Sequence, residues 1–279
     1  MKTFDKISDI RFYIEDLHKQ GKRVGFIPTM GALHEGHISL VKRSVNENDI
    51  TVVSIFVNPI QFNNKTDLEK YPRDLKKDIS LIESAGVDVV FVPSVEEMYP
   101  EPVTTIYDLG ELSTVMEGAS RPGHFNGVAI VVHKLFNIIN PDNAYFGEKD
   151  YQQVLIIKYL VKKYNIPVNI VVCPISREDD GLARSSRNAR LTPEMRLAAP
   201  FIYAQLKKAR QLAETMTAEQ VEYEIKDAFT KHQLLKLEYF TVANGDSLTP
   251  VNGKITENSY GFITVLAGDV RLIDNIRLI

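Results

Sequence analysis

His34 and His37 stand three residues apart in the run Gly25-Phe26-Ile27-Pro28-Thr29-Met30-Gly31-Ala32-Leu33-His34-Glu35-Gly36-His37. At that spacing on a helix's first turn, two imidazoles face the same ligand. Imidazolium groups there would stabilise negative charge developing on a transferred phosphate. Taken alone, such a pair is more often plain surface. Zinc is a second reading, but His-x-x-His with no third ligand in view falls short of the usual set. The setting decides against both. The apolar run from Val24 to Ile27 reads as a buried strand stopped by Pro28. Glycines follow at 31 and 36, and Ile38-Ser39-Leu40-Val41-Lys42-Arg43 continues with helical spacing. Strand, glycine-bearing turn and helix start aim backbone N–H groups and a positive helix end at an anion. The stretch reads as a nucleotide-phosphate site.

Other groups align behind it. Gly147-Glu148-Lys149-Asp150 would by itself be an ordinary charged turn. It follows a strand at the expected ligand edge, where the compact ammonium of Lys149 can hold a phosphate. Asp150 reads either as a cap for the next helix or as a partner for a ribose hydroxyl. Gln153, taken alone, reads as solvent-facing. Asp179-Asp180-Gly181-Leu182-Ala183-Arg184-Ser185-Ser186-Arg187-Asn188 is by composition a flexible polar linker. Yet adjacent hydroxyls beside an arginine resemble loops that close over triphosphates. Arg121-Pro122-Gly123-His124-Phe125-Asn126-Gly127 is a second polar loop without an assigned role, and Pro72-Arg73-Asp74 reads as a solvated helix start.

The elements that must position these residues follow from periodicity. The spacing predicts a helix over 3–20, with Ile7, Ile10, Ile14 and Leu17 on one stripe and Gly21 past its end. Ile50 to Val57 is nearly continuous in apolar, β-branched character, as suits a parallel strand buried on both faces. It ends at the polar loop Asn58-Pro59-Ile60-Gln61-Phe62, where open α/β sheets place their ligands. Residues 66–85 read as helix, Val87 to Val92 as strand, Val128 to Ile139 as helix or strand, Tyr151 to Tyr164 as helix and Val168 to Val172 as strand. This alternation predicts a doubly wound parallel sheet. After Asn188 the texture changes. Thr192-Pro193-Glu194 opens one helix and Thr217-Ala218-Glu219-Gln220 a second, through a capping box. Strand-like runs at 237–243 and 262–267 follow, with turns at Asn244-Gly245-Asp246 and Asn252-Gly253. The prediction is a domain over 1–183 and a smaller α+β domain over 184–279.

Composition bounds the function class. In a 279-residue chain, 44% hydrophobic and 25% charged content match an ordinary globular protein. A net charge of −3 argues against nucleic acid as a partner. The N-terminal Met1-Lys2-Thr3-Phe4-Asp5-Lys6 has charges where a signal peptide needs an apolar core. No apolar run approaches the roughly 20 residues that span a bilayer. Cys173 stands alone, so disulfides and a cysteine metal cluster are not expected. The expectation is a soluble cytoplasmic protein without membrane partners.

Six segments, in order along nearly the whole chain, resemble the pantothenate synthetase (pantoate–β-alanine ligase) family. They are PTMGALHEGH at 28–37, FVNPIQF at 56–62, YPRD at 71–74, RPGHFNGV at 121–128, FGEKDYQQ at 146–153 and DGLARSSRN at 180–188. The resemblance implies a nucleotidyltransferase fold, here a Rossmann-like doubly wound parallel sheet with a smaller α+β C-terminal domain acting as a lid, commonly as a homodimer. It places Met30, Gly31, Ala32, Leu33, His34, Glu35, Gly36 and His37 along the ATP site. His34 and His37 would lie on the phosphates, with His37 as proton donor. Gln61 and Gln153 would hold pantoate, and Gln61 would border β-alanine. Gly147, Glu148, Lys149 and Asp150 would contact ATP, Lys149 at the phosphates as a catalytic residue and Asp150 near the ribose. Ser176 would reach adenine through its backbone, and Ser185, Ser186 and Arg187 the phosphates. Arg184 takes a position where the family usually has Met or Leu; it is expected to contact ATP through its backbone rather than by apolar packing.

The implied reaction is ATP-dependent condensation of (R)-pantoate with β-alanine through a pantoyl adenylate, with AMP and pyrophosphate released. A carboxylate of typical pKa about 4 needs no general base at neutral pH. In-line placement and charge neutralisation suffice, which suits a site rich in His, Lys, Ser and Arg. Mg2+ would be held mainly by ATP's phosphate oxygens. An adenylyltransferase that leaves AMP on its product is the neighbouring alternative, and a non-enzymatic nucleotide sensor the alternative from another class.

Overall fold

Alternating apolar strands and amphipathic helices produce the larger of two compact units. The computed structural model describes residues 1–63, 68–69 and 71–279. One unit comprises 1–148 and 152–174, the other 149–151 and 175–279. The expected boundary at 183/184 lies inside the second unit. Residues 175–183 belong there because Arg177 bridges to Ala183 and forks onto Asp274.

The first unit runs β1 (Lys2–Phe4), α1 (Ile7–Lys19), β2 (Val24–Thr29), α2 (Glu35–Glu47), β3 (Ile50–Ile55), α3 (Leu75–Ser84), β4 (Val89–Phe91), α4 (His124–Ile139), β5 (Asn143–Gly147), α5 (Tyr151–Lys163) and β6 (Asn169–Cys173). Its six strands pair in parallel in the order β1-β4-β3-β2-β5-β6. From β2 the chain winds outward through β3 and β4, then returns to lay β5 on β2's other side. The order therefore reverses between β2 and β5, the place where such sheets open a crevice at their carboxyl ends. Strand residues alternate between two apolar layers. Phe26, Val52, Val89 and Ala144 pack with α1, α4 and α5, while Ile27, Val53, Val90 and Tyr145 pack with α2 and α3.

Several predicted bounds shift. The helix expected over 3–20 begins at Ile7, because Lys2–Phe4 pairs with Val89–Phe91 as an edge strand. Of the helix expected over 66–85, residues 68–69 and Leu75–Ser84 are helical, the latter with the Asp74 carboxylate capping Lys77 N–H at 3.1 Å. Positions 66, 67 and 70 of that expectation lie outside the described residues. Val128–Ile139 is helical and starts earlier, at His124.

The second unit holds α6 (Pro193–Ala198), α7 (Phe201–Leu212) and α8 (Ala218–Thr230), then β7 (Leu235–Asn244), β8 (Ser259–Ala267) and β9 (Val270–Arg277). Thr217 and Gln220 form the expected capping box. The strands make an antiparallel sheet in chain order, and β9 is an addition to the sequence reading. The architecture is thus α/β, with a small antiparallel C-terminal sheet. Among the described residues, no helix is long and apolar enough to cross a membrane.

Candidate active site

The turn after β2 is tied down almost atom by atom. Thr29 donates its hydroxyl to Ser54 O at 2.7 Å and accepts Gly31 N–H at 3.2 Å. Asp78, buried on α3, accepts Ala32 N–H at 2.9 Å and Leu33 N–H at 2.7 Å on its two oxygens. That clamp holds Ala32 at φ +51°, a left-handed conformation costing an L-residue about 1–2 kcal/mol. Gly31, at φ +78°, also has no room for a side chain, since a Cβ would come within 2.9 Å of Asp78 Oδ2. His34 caps α2, with its Nδ1 accepting Gly36 N–H at 3.1 Å. His37 Nδ1 reciprocates by accepting His34 N–H at 3.3 Å, and the rings lie 4.2 Å apart.

One expectation changes here. The N–H groups of Gly31, Ala32, Leu33, His34, Gly36, His37 and Ile38 each have a partner within the fold. The backbone cradle is therefore largely spent on shaping the turn. Each ring's Nδ1 faces a backbone N–H and accepts there, which leaves Nε2 as the ring nitrogen that can donate.

Beyond β3, Gln61 is buried and its amide is oriented at both ends. Its Nε2 donates to Met30 Sδ at 2.8 Å, and its Oε1 accepts from Asn58 Nδ2 at 3.2 Å. Asn58, wholly buried, is fixed in turn: Nδ2 also donates to Gly127 O at 3.0 Å, and Oδ1 accepts Tyr99 O–H at 3.0 Å. Burial pushes the Tyr99 hydroxyl well above its usual range, so it stays a donor. This brings Met30 and Gln61, far apart in sequence, into contact. After β5, which ends at Gly147 and leads into Glu148, two adjacent glutamines differ. Gln152 spends its amide on Leu112 O, Val115 O and Glu117 N–H. Gln153, half-buried, has no hydrogen-bond partner among the described residues.

In the second unit, Lys149 O accepts Asn275 Nδ2 at 3.1 Å, while its Nζ lies 3.3 Å from Asp150 Oδ1. Ser176 O accepts Arg184 N–H at 2.9 Å. The Arg184 guanidinium turns to Glu178 at 3.1 Å and to Arg177 O at 3.2 Å, so it closes the 176–184 turn where an apolar side chain could not. Arg177 stacks over Tyr203 at 3.7 Å and pairs with Asp274, whose carboxyl burial pushes upward against the opposing pull of that guanidinium. Ser185 Oγ accepts Arg187 N–H at 3.2 Å. Among the described residues, neither Ser186 Oγ nor the Arg187 guanidinium has a hydrogen-bond partner. Asn188 donates to Ala183 O at 3.0 Å, but its buried Oδ1 has no partner. Lys149, Ser185, Arg187, Asn188 and Arg271 line one small recess.

Asp78 and Tyr99, which brace the turns of the candidate site, and Asn188, with its orphaned buried oxygen, were passed over by sequence reasoning. Asp78 had a signal, a carboxylate one turn before Ile82 on the buried stripe of α3. Asn188 stood inside a quoted motif without a role.

Comparison with known proteins agrees along the whole chain. The family described as Pantoate-beta-alanine ligase matches residues 2–277. The pantothenate synthetase of Bacteroides fragilis YCH46 is 54% identical over 278 residues, covering 99% of each chain. That of Porphyromonas gingivalis W83 is 49% identical over 278 residues, again covering 99% of each. A crystal structure of the Thermus thermophilus enzyme superposes with a TM-score of 0.94 at 41% identity, covering 100% of this chain and 99% of that one. The Francisella tularensis pantoate-beta-alanine ligase, complexed with Beta-gamma ATP and Beta-alanine, gives 0.83 at 42% identity, covering 100% and 98%. Such agreement in sequence and in backbone, from end to end, makes this chain a member of the pantoate–β-alanine ligase family.

Proposed function

We propose that this ligase makes its pantoyl adenylate at the carboxyl ends of β2 and β3, with His34 and His37 as hydrogen-bond donors to the phosphates of ATP and Gln61 as a pantoate anchor. A pantoate carboxylate oxygen attacks the α-phosphorus of ATP, and pyrophosphate leaves. The carboxylate is already ionised, so no residue need remove a proton. Rather, donors are set in advance where charge develops, and such electrostatic terms dominate acyl activation. The observation that carries the reading is the reciprocal His34–His37 cap, which fixes both rings with the proton on Nε2. Contact between Met30 and Gln61 supports a pantoate position beside that turn.

Lys149, Ser185, Ser186 and Arg187 are assigned to the ATP phosphates, Gly147, Glu148, Asp150, Ser176 and Arg184 to the rest of the nucleotide, and Gln153 to pantoate. The Ser186 hydroxyl, the Arg187 guanidinium and the Gln153 amide, each without a hydrogen-bond partner among the described residues, support this. The amine of β-alanine, next to Gln61, then attacks the adenylate carbonyl, and the amide forms as AMP leaves. Bound Mg2+ would neutralise polyphosphate charge. Asp78 already spends both oxygens on Ala32 and Leu33, which fits an ion held by ATP's own oxygens. The ligand named with the Francisella relative supports ATP and β-alanine as substrates here. The reading extends to a cytoplasmic homodimer, and a monomer in sedimentation at assay concentration would remove the latter.

Product analysis with Mg-ATP and D-pantoate tests the reaction. The expected result is ATP–pyrophosphate exchange without β-alanine, then AMP and pantothenate once it is added. ATP bound but never cleaved, or adenylyl transfer to another acceptor as the final product, would overturn it.

A further inference from the structure

The Arg121–Gly127 loop has no part in the ligation as assigned above, yet it grips the pantoate anchor. Gly123, at φ +81°, turns the chain into α4, whose first residue is the buried His124. The His124 Nδ1 lies 2.8 Å from the main-chain oxygen of Gln61, and its Nε2 lies 3.1 Å from Arg121 Nη1. A carbonyl oxygen only accepts and a guanidinium only donates. One neutral tautomer satisfies both, with the proton on Nδ1 and the lone pair on Nε2. Two further contacts hold the same turn. Gly127 lets α4 back directly onto it, since a Cβ there would meet Gln61 Cα at 2.6 Å and Ile60 O at 2.8 Å. Pro122 O accepts from Asn63 Nδ2, two residues beyond Gln61.

We propose that His124 is a positioning residue for pantoate: its Nδ1–H fixes the backbone of Gln61, and Arg121 selects the tautomer that can do so. Asn58 orients the Gln61 amide, whereas His124 sets where that amide starts from. The proposal rests on Gln61 holding pantoate, so both are tested together.

The experiment is steady-state kinetics on His124→Asn, His124→Gln, His124→Ala and Gln61→Ala, with melting midpoints. Asparagine places an amide N–H where Nδ1 stood, and glutamine places one where Nε2 stood. His124→Ala and His124→Gln should raise the pantoate KM about tenfold, the scale of one lost hydrogen bond, with the ATP KM little changed. His124→Asn should return the pantoate KM to within about threefold of the parent. The three His124 variants shifting both substrates' KM values in step with their melting midpoints would overturn the proposal in favour of a merely structural role. Unchanged pantoate KM in His124→Gln, with Gln61→Ala still impaired, would overturn it while sparing Gln61. An unchanged pantoate KM in Gln61→Ala would remove the Gln61 reading, and the proposal with it.

Discussion

The Met30–His37 turn and the Ser185–Asn188 segment are both assigned to phosphates, but they are built in opposite ways. In the first, Asp78, Thr29 and two imidazoles take five of the eight backbone donors, and each ring's Nδ1 is held by one of them. In the second, Ser185 folds back on the backbone of Arg187, and Asn188, which donates to Ala183 O, keeps a buried acceptor without a partner. A short, fixed donor costs no reorganisation when charge develops, so it acts on the transition state. A long cation without a partner takes its place only when a ligand supplies one, so it acts mainly on binding. Proximity to phosphate is one property, and being set in advance is another.

That contrast can be broken by substitution. The largest effect is expected for His37→Ala, and for Lys149→Ala at the end of β5, each costing on the order of 10² or more in kcat. Near-normal turnover in either variant would remove its assigned role. Asp78→Asn comes next. An amide offers one acceptor where the carboxylate offered two, so one buried N–H is orphaned, at about 1–3 kcal/mol. A denaturant titration should show that loss, accompanied by a weaker ATP KM. Arg187→Ala should raise the ATP KM by about tenfold with kcat changed less, because a charge-assisted contact of roughly 1.5–3 kcal/mol is lost from binding. A collapse of kcat with KM unchanged would place Arg187 with the fixed donors instead. Arg184→Leu should do least, within about threefold in kcat/KM, since its side chain only closes a local turn through a half-exposed ion pair worth about 0–1 kcal/mol.

How much of this was legible beforehand follows the same division between local and distant causes. The β3 run, the start of α2 and the Thr217–Gln220 box are written in consecutive residues, and each is where the sequence placed it. β1 was not legible, because three residues become a strand only by pairing with Val89–Phe91. β9 hid its pattern behind the tight Gly268-Asp269 turn and a buried Asp274 that pairs with the distant Arg177. At the site, the histidine pair and its glycines announced an anion. Which ring nitrogen is left to donate did not show, because it depends on which backbone N–H each Nδ1 meets. Asp78 reaches Ala32 and Leu33 from 46 and 45 residues away, a distance no local pattern spans.

The central claim is that His34 and His37 serve as neutral Nε2–H donors. Long-range ¹H–¹⁵N correlation spectra of the ¹⁵N-histidine protein at neutral pH, assigned with single His34 and His37 substitutions, observe it directly. The account predicts that both rings are neutral, with Nε2 protonated and Nδ1 bare. An imidazolium signal, or a proton on Nδ1 of either ring, would contradict it.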